Sequence, residues 1–179
     1  MAMSPTTFDG FRPEAIQFLA DLAANNERAW FQPRKADYER LLKEPLVALV
    51  AALAERFAAS GLPLRADPAR SPFRIYRDIR FSKDKSPYKT NIGADFPWTG
   101  GLGGGESRHG MGGYFHIAPG EIFVGGGMWH PEPERLTAWR RAVVSDPKAV
   151  HRALDDPAFV KLFGTVNGDA LKRVPAGYP

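Results

Sequence analysis

The sequence predicts an α+β domain in which an antiparallel sheet packs against N-terminal and C-terminal helices. Apolar residues recur at helical spacing over the first third of the chain, alternate with polar residues near residues 73–81, and return to helical spacing after Pro131. A chain of 179 residues is long enough for one domain with its own hydrophobic core, so residues 1–179 are interpreted as a single domain.

Prolines and capping residues mark the predicted helices. Pro45 is expected to kink or restart the second helix, and Gly61 is suited to the position just after its end. Asp146 and Asp156 each precede a proline and are expected to cap the two helices that follow them. The predicted helices cover residues 13–25, 33–60, 131–144, 147–154 and 157–163.

Four strands are predicted, and Pro119-Gly120 is expected to form a hairpin turn between the last two. Residues 100–113 contain eight glycines and are interpreted as a loop. Gly125 to Gly127 is a second glycine run, which either admits a ligand close to the backbone or forms a β-bulge; the bulge is the favoured interpretation. The predicted strands lie near residues 73–81, 91–98, 114–118 and 121–126.

Composition excludes several function classes. The chain has no cysteine, so disulfides, thiolate metal ligands and cysteine nucleophiles are all excluded. The first residues lack a basic stretch followed by an apolar one, and the apolar run Leu46–Ala54 is about half the length that a membrane crossing requires. The expectation is a cytoplasmic protein that makes no contact with a membrane.

Positive charge is concentrated in one window. Eight of the 24 basic residues and three of the 20 acidic residues lie between Arg65 and Asn91, which gives this window a net charge of +5 and the rest of the chain −1. Such an asymmetry predicts an anionic partner near the window, although a solvated basic face would look the same in sequence.

The most function-like segment runs from Arg74 to Tyr88. On a strand, Arg77 would fall on the apolar face with Ile75 and Ile79, where a guanidinium needs a carboxylate, carbonyl oxygens or a bound anion. A buried ion pair between sheet and helices satisfies this requirement as well as a ligand does. The predicted ligand-binding residues of the segment are Arg74, Arg77, Arg80 and Lys85, since arginine offers a planar fork of donors to carboxylate or phosphate.

Asp78 and Tyr88 are the predicted catalytic residues, Asp78 to orient or exchange a proton and Tyr88 to donate a hydrogen bond. The predicted partner is a phosphorylated or carboxylated small molecule, and whether a reaction occurs is left open. Two alternatives stand beside it: nucleic-acid binding by the same basic stripe, and a structural or adaptor domain in which the segment is an internal salt-bridge network. The four histidines show no metal-ligand spacing, although His116 and His130 are candidates to meet near Glu121 or Glu132, and neither a metal nor a cofactor is predicted.

The pattern Arg74-x-x-Arg77-Asp78-x-Arg80-Phe81-x-x-x-Lys85-x-x-Tyr88 resembles the signature of a bacterial and fungal family, domain of unknown function 2461. The likeness extends to Asn25-Asn26, Trp30-Phe31, Tyr114 to His116 and Gly125 to Trp129, and thus to nearly the whole chain. The resemblance implies membership but no activity, because none is established for the family. It also implies that the family domain continues beyond Pro179, so that a C-terminal portion is absent from this chain.

Overall fold

The computed structural model describes residues 8–80, 82–100, 111–128, 130–165 and 171–178. The chain divides into two units, residues 1–130 and residues 131–179. The first unit contains helices followed by an antiparallel sheet, and the second contains helices among its described residues, which confirms the α+β class. The interpretation of residues 1–179 as a single domain stays a prediction.

The N-terminal helical region is less regular than the sequence predicts. Helix α1 matches its predicted range, but the helix expected over 33–60 is interrupted by a 3₁₀ turn at Gln32–Arg34 and a π turn at Glu39–Lys43. Pro45 has no amide hydrogen to donate to the Leu41 carbonyl, and a wider turn before it relieves this loss. The helices of this unit are α1 (Pro13–Ala24), α2 (Arg28–Phe31), α3 (Lys35–Tyr38) and α4 (Glu44–Ala59).

The sheet has three antiparallel strands in the order β1-β2-β3: β1 (Ile92–Pro97), β2 (Met111–Ala118) and β3 (Glu121–Met128). The strands predicted near 91–98, 114–118 and 121–126 are confirmed, and β2 begins three residues earlier than predicted. Gly120 turns the hairpin with a φ of 77°. Pairing between β2 and β3 is continuous from Met111↔Met128 to Ala118↔Glu121, so the predicted bulge at Gly125 to Gly127 is wrong.

The strand predicted over 73–81 is also wrong, because this segment does not join the sheet. The Phe73 amide donates to the Gly93 carbonyl at 2.9 Å, but the chain then bends away from β1. Further along, the Ile75 carbonyl accepts from the Lys89 amide at 2.8 Å. The backbone hydrogen bonds near the start of the segment thus go partly to β1 and partly to Lys89. Among the described residues these contacts produce isolated bridges and not a continuous strand. Phe81 lies outside the described residues.

The two faces of the sheet have different surroundings. The inner face is buried against the helices: Phe115 stacks on Phe11, and Phe96 packs edge-on against Phe57 of α4, with ring centroids 5.9 and 5.6 Å apart. The outer face carries the side chains that alternate with these, and it forms the pocket described below. The sheet residues buried on the inner face are Ile92, Ala94, Phe96, Phe115 and Ile117.

The second unit contains α5 (Pro133–Ser145), α6 (Pro147–Leu154) and α7 (Pro157–Phe163), within two residues of the predicted ranges. Both predicted caps are confirmed: Asp146 accepts a hydrogen bond from the Ala149 amide, and Asp156 accepts from the first turn of α7. Over the described parts of the chain, every helix is too short or too polar to cross a membrane.

Candidate ligand-binding sites

The segment Arg74–Tyr88 forms a local network fastened to the helices at its end. The Asn26 side chain accepts a hydrogen bond from the Tyr88 amide at 3.0 Å and donates one to the Tyr88 carbonyl at 2.9 Å. Asn26 lies in the turn between α1 and α2, so these two bonds hold the segment against the helical layer. The asparagine therefore positions the segment through its backbone.

Arg77 is the least exposed of the predicted cationic site residues, with 31% of its side chain accessible. Its guanidinium pairs with the Asp84 carboxylate and donates to the Ser86 hydroxyl at 2.8 Å. The Asp84 carboxylate also accepts from the Ser86 amide, and these hydrogen bonds lower its pKa, the backbone one most strongly. The partner that the sequence requires for Arg77 thus comes from the same segment, seven residues later, and not from a helix.

Asp78 and Arg80 form a second, exposed pair. Arg80 donates from Nε and Nη2 to the two carboxylate oxygens of Asp78, at 3.0 and 2.7 Å. These bonds, with a smaller contribution from Arg74, lower the pKa of Asp78 to about 2 from an ordinary 3.8. Asp78 is therefore ionised at neutral pH and can only accept hydrogen bonds there.

The remaining predicted cations differ in their surroundings. Lys85 donates to the Ile79 carbonyl at 2.9 Å. Arg74 and Lys83 are exposed, and within the described ranges their side chains make no hydrogen bond or ion pair. The structure brings Arg77, Asp78, Arg80 and Lys85 into one region, but three of the four predicted ligand-binding cations have partners inside the segment.

Tyr88 is buried in the core, with no exposed surface. Its ring stacks on Phe31 with centroids 4.1 Å apart, and its hydroxyl is buried without a hydrogen-bond partner among the described residues. This placement gives the tyrosine a packing role, and its hydroxyl has no route to a ligand on the surface.

A cavity among the described residues lies elsewhere, on the outer face of the sheet. This sheet-face pocket has a volume of about 530 Å³. None of the six predicted site residues lines it, whereas Phe73, the residue before the segment, does. Its principal wall residues are Phe73, Asp95, Tyr114, His116 and Phe123, with glycines of β2 and β3 between them.

Strand register explains why the pocket exists. Asp95, Tyr114 and Gly125 are paired across the three strands and therefore share the outer face. Gly112 and Gly127 are paired one step further along the same face. A Cβ on Gly125 would meet no described atom within 4 Å, so the described residues leave the space above this glycine open. Glycine therefore leaves bare backbone where ordinary side chains would fill the face.

Gly93 shapes the polar end of the pocket. A Cβ at this position would lie 2.7 Å from the Phe115 carbonyl oxygen and 2.9 Å from the Tyr114 hydroxyl. Only glycine allows the Tyr114 ring to lie across β1 in this way. The ring also contacts Phe73 and Phe123, with centroids 6.0 and 5.7 Å away.

A chain of polar contacts runs along this end of the pocket. The Tyr114 hydroxyl lies 3.0 Å from Nδ1 of His116, and Nδ2 of Asn91 lies 3.3 Å from the same nitrogen. On the other side of the ring, the Glu121 carboxylate is 3.4 Å from Nε2. Nε2 is buried and makes no hydrogen bond to the described residues, so Glu121 is a close neighbour of this nitrogen and not a hydrogen-bond partner. Burial, and then the charge of Glu121, raise the pKa of Tyr114.

His116 thus lies beside Glu121, while the expected approach of His116 and His130 to each other stays a prediction. Within the described ranges, no three His, Asp or Glu side chains are arranged to hold a metal ion. The predicted motif did not include Tyr114, Asp95 or Phe73. Their signal in the sequence is the hairpin register, which places Tyr114, His116, Phe123 and the glycines on one face.

Comparisons with known proteins agree with the resemblance seen in the sequence. No curated protein and no solved structure shows detectable similarity to the chain. A family model described as "Conserved hypothetical protein (DUF2461)" matches residues 14–179. Because this match covers most of the sequence, the chain belongs to the DUF2461 family.

Proposed function

We propose that this protein binds a small molecule in the sheet-face pocket. The observation that carries the proposal is the open space above glycines on the outer face of an unbroken β2–β3 ladder. A volume of about 530 Å³ falls within the roughly 300–1,000 Å³ typical of small-molecule sites. A glycine floor lets a ligand approach the backbone directly, and aromatic walls bury its apolar surface.

The shape and lining favour a ligand with a flat ring. Phe73, Tyr114 and Phe123 provide aromatic surfaces around the pocket, which suit stacked or edge-on contacts with a ring. Polar groups are few and grouped at Tyr114, His116 and Asp95. A mostly apolar site with a few placed polar groups is typical of small-molecule recognition.

The motif contributes to this pocket indirectly. Phe73 is joined to β1 by its amide hydrogen bond to Gly93, and the Arg77–Asp84–Ser86 network braces the chain that follows. We assign the network the role of holding this chain, and with it Phe73, beside the pocket.

The test uses two leucine substitutions on the same strand. Gly125→Leu directs a side chain into the pocket, whereas Gly126→Leu, at a residue whose backbone also borders the pocket, directs the same side chain to the opposite face. Ligand-observed NMR with a panel of monocyclic aromatic fragments should detect binding to the wild type and to Gly126→Leu, and none to Gly125→Leu. Equal binding to both variants, or no binding to any protein, would contradict the proposal.

Anion binding by the motif is a second candidate, as the sequence predicts. It is favoured by one observation: Arg74 and Lys83 are exposed, without a hydrogen bond or ion pair in the described structure, inside the window of net charge +5. A phosphorylated or carboxylated molecule would then bind from solvent to one or both of these side chains. Because the attraction is electrostatic, it weakens as the Debye length falls from about 10 Å at 0.1 M salt to about 3 Å at 1 M.

Thermal-shift titrations distinguish this candidate from its alternatives. Pyrophosphate should raise Tm above a chloride control at matched ionic strength, and Arg74→Ala with Lys83→Ala should abolish the shift. Binding of single-stranded DNA that strengthens with length would instead indicate a nucleic-acid surface. If Tm follows ionic strength alone, the motif is the structural salt-bridge network of the third interpretation.

A further inference from the structure

The apolar inner face of the sheet continues beyond the residues that cover it. Phe115 and Ile117 of β2 lie on this face and are buried, with 7% and 5% of their surface exposed. Their cross-strand partners in β3, Val124 and Ile122, share the face but are 76% and 68% exposed. The described residues therefore cover the sheet as far as β2 and leave the apolar side chains of β3 open.

The free edge of β3 also has backbone groups available for pairing. Ala118 and Glu121 are paired on either side of a two-residue turn, and such a closing pair exchanges both of its backbone hydrogen bonds. Every second residue after Glu121 therefore points its amide and carbonyl groups away from β2. Within the described structure, no further strand pairs with this edge. The residues that face it are Ile122, Val124, Gly126 and Met128.

β3 lacks the features that usually keep an edge strand from pairing. Natural edges are protected by lysine, by proline, by a bulge or by being very short. β3 is eight residues long, contains neither lysine nor proline, and pairs with β2 without a bulge. Its single charged residue, Glu121, stands at the first position. Such an edge is suited to bind another strand.

The sequence of β3 favours a second β3 in antiparallel orientation. Its large side chains occupy the first half, Ile122 to Val124, and its glycines the second half, Gly125 to Gly127. Antiparallel self-pairing places the large residues of one strand opposite the glycines of the other, and an aromatic ring that covers a glycine in this way stabilises a sheet. It also places the two Glu121 carboxylates at opposite ends, whereas parallel pairing would put these like charges side by side.

We propose that two copies of this chain associate through their β3 edges, so that two three-stranded sheets form one continuous antiparallel sheet. The twofold axis lies close to Val124 and Gly125 and is perpendicular to the sheet, which keeps the apolar faces of both copies on the same side. Ile122 and Val124 of one copy then pack beside inner-face residues of the other. The inference concerns the edge of β3 and does not depend on a ligand in the sheet-face pocket.

Cysteine cross-linking tests the orientation, because the chain has no cysteine of its own. Under mild oxidation Val124→Cys or Gly125→Cys, whichever lies on the axis, should form a disulfide-linked dimer. Ile122→Cys should not, because its two copies would lie roughly 13 Å or more apart along the strands. Leu162→Cys, at an exposed apolar residue of α7, measures the cross-linking caused by collision alone.

Sedimentation over a concentration series measures the association without a cross-link. The wild type should pass from monomer to dimer, and Val124→Lys should weaken the dimer by about tenfold or more, because it puts two like charges near the axis. Leu162→Lys is the matched control, since Leu162 is 77% exposed and Val124 is 76% exposed, and it should leave the dimer unchanged. Amide hydrogen exchange of the wild type should slow at Ile122, Val124 and Gly126 as the dimer forms.

Three results would overturn the inference. A chain that stays monomeric at every concentration would show that β3 does not pair with itself, and slow exchange of its edge amides in that monomer would mean that another part of the same chain covers them. Equal cross-linking of Ile122→Cys and Val124→Cys would indicate parallel pairing or collision. An equal effect of the two lysine variants would assign the association to a different surface or to exposed apolar side chains in general.

Discussion

The side chain of Asn26 forms two hydrogen bonds with the backbone of Tyr88, donating to its carbonyl oxygen at 2.9 Å and accepting from its amide at 3.0 Å. The two residues are 62 positions apart in sequence. Tyr88 lies outside the three strands of the sheet, and the Asn26 side chain provides the hydrogen-bond partner of both its amide and its carbonyl group. These two bonds hold the end of the motif segment against the turn between α1 and α2.

Replacing Asn26 by Ala should destabilise the protein by about 1–3 kcal/mol, because both partly buried backbone groups of Tyr88 lose their partner. The free energy of unfolding from urea denaturation measures this. Asn25→Ala is the matched control, since its amide donates only to the exposed Asp21 carbonyl. Equal losses for the two variants would contradict a special role for Asn26.

Much of the fold follows from local sequence signals. Helices α6 and α7 begin and end at their predicted residues, since aspartate caps and prolines fix their starts. The hairpin was predictable from the turn at Pro119-Gly120 and the alternation around it. The motif segment was not, because alternating polarity does not determine which backbone supplies the hydrogen bonds, and Ile79, expected on the buried face, is exposed. Ile75 is indeed buried between exposed Arg74 and Tyr76, yet its carbonyl bonds to Lys89 and not to the sheet.

The site was only partly predictable, for a related reason. The sequence indicates that Arg77 needs a hydrogen-bonding partner, but Asp84, Ser86 or a ligand would each meet this need. Only the fold of the turn that follows determines that Asp84 and Ser86 are the partners. The pocket was missed because a glycine run has two interpretations. In the structure β2 and β3 pair without a break through Gly125 and Gly127, so these glycines form a flat surface and not a bulge. The sequence of β3 alone does not show how it pairs with β2, so the two interpretations could not be separated in advance.

Tyr88→Phe should leave the free energy of unfolding unchanged or raise it by about 1 kcal/mol. The hydroxyl of Tyr88 is buried without a partner among the described residues, and its removal spares the cost of keeping it from water. Denaturant unfolding measures the effect, with Tyr76→Phe as a control at a more exposed ring that also contacts Phe31. A clear loss of stability would mean that the hydroxyl does have a partner.

The carboxyl group of Asp78 should titrate near pH 2, and Arg80→Met should return its midpoint toward 3.8. A folded-state pKa below the unfolded one means that the pair stabilises the fold above about pH 4 and that this contribution disappears as the pH falls through 2. Side-chain ¹³C shifts followed against pH measure both midpoints. A wild-type midpoint near 3.8 would show that the pair does not form in solution.

Gly93→Ala should destabilise the protein by about 1–3 kcal/mol, because the added methyl carbon would lie 2.7 Å from the Phe115 carbonyl oxygen. It should also displace the Tyr114 ring, which a change in the His116 ring resonances would report. Gly125→Ala is the control, since its methyl group enters open space. If the alanine at 93 is tolerated as well as the one at 125, the described packing of Tyr114 on β1 is wrong.

The proposed function places the binding of aromatic rings over the glycine floor of the sheet, away from the cationic motif. An NMR titration of the isotope-labelled protein with benzamidine tests it most directly, because the aromatic ring shifts the resonances of nearby nuclei. Saturable shifts are expected at Gly112, Tyr114 and Gly125, with Arg80 and Lys85 unaffected. Shifts confined to residues 74–88, or no saturable shift at any concentration the protein tolerates, would contradict it.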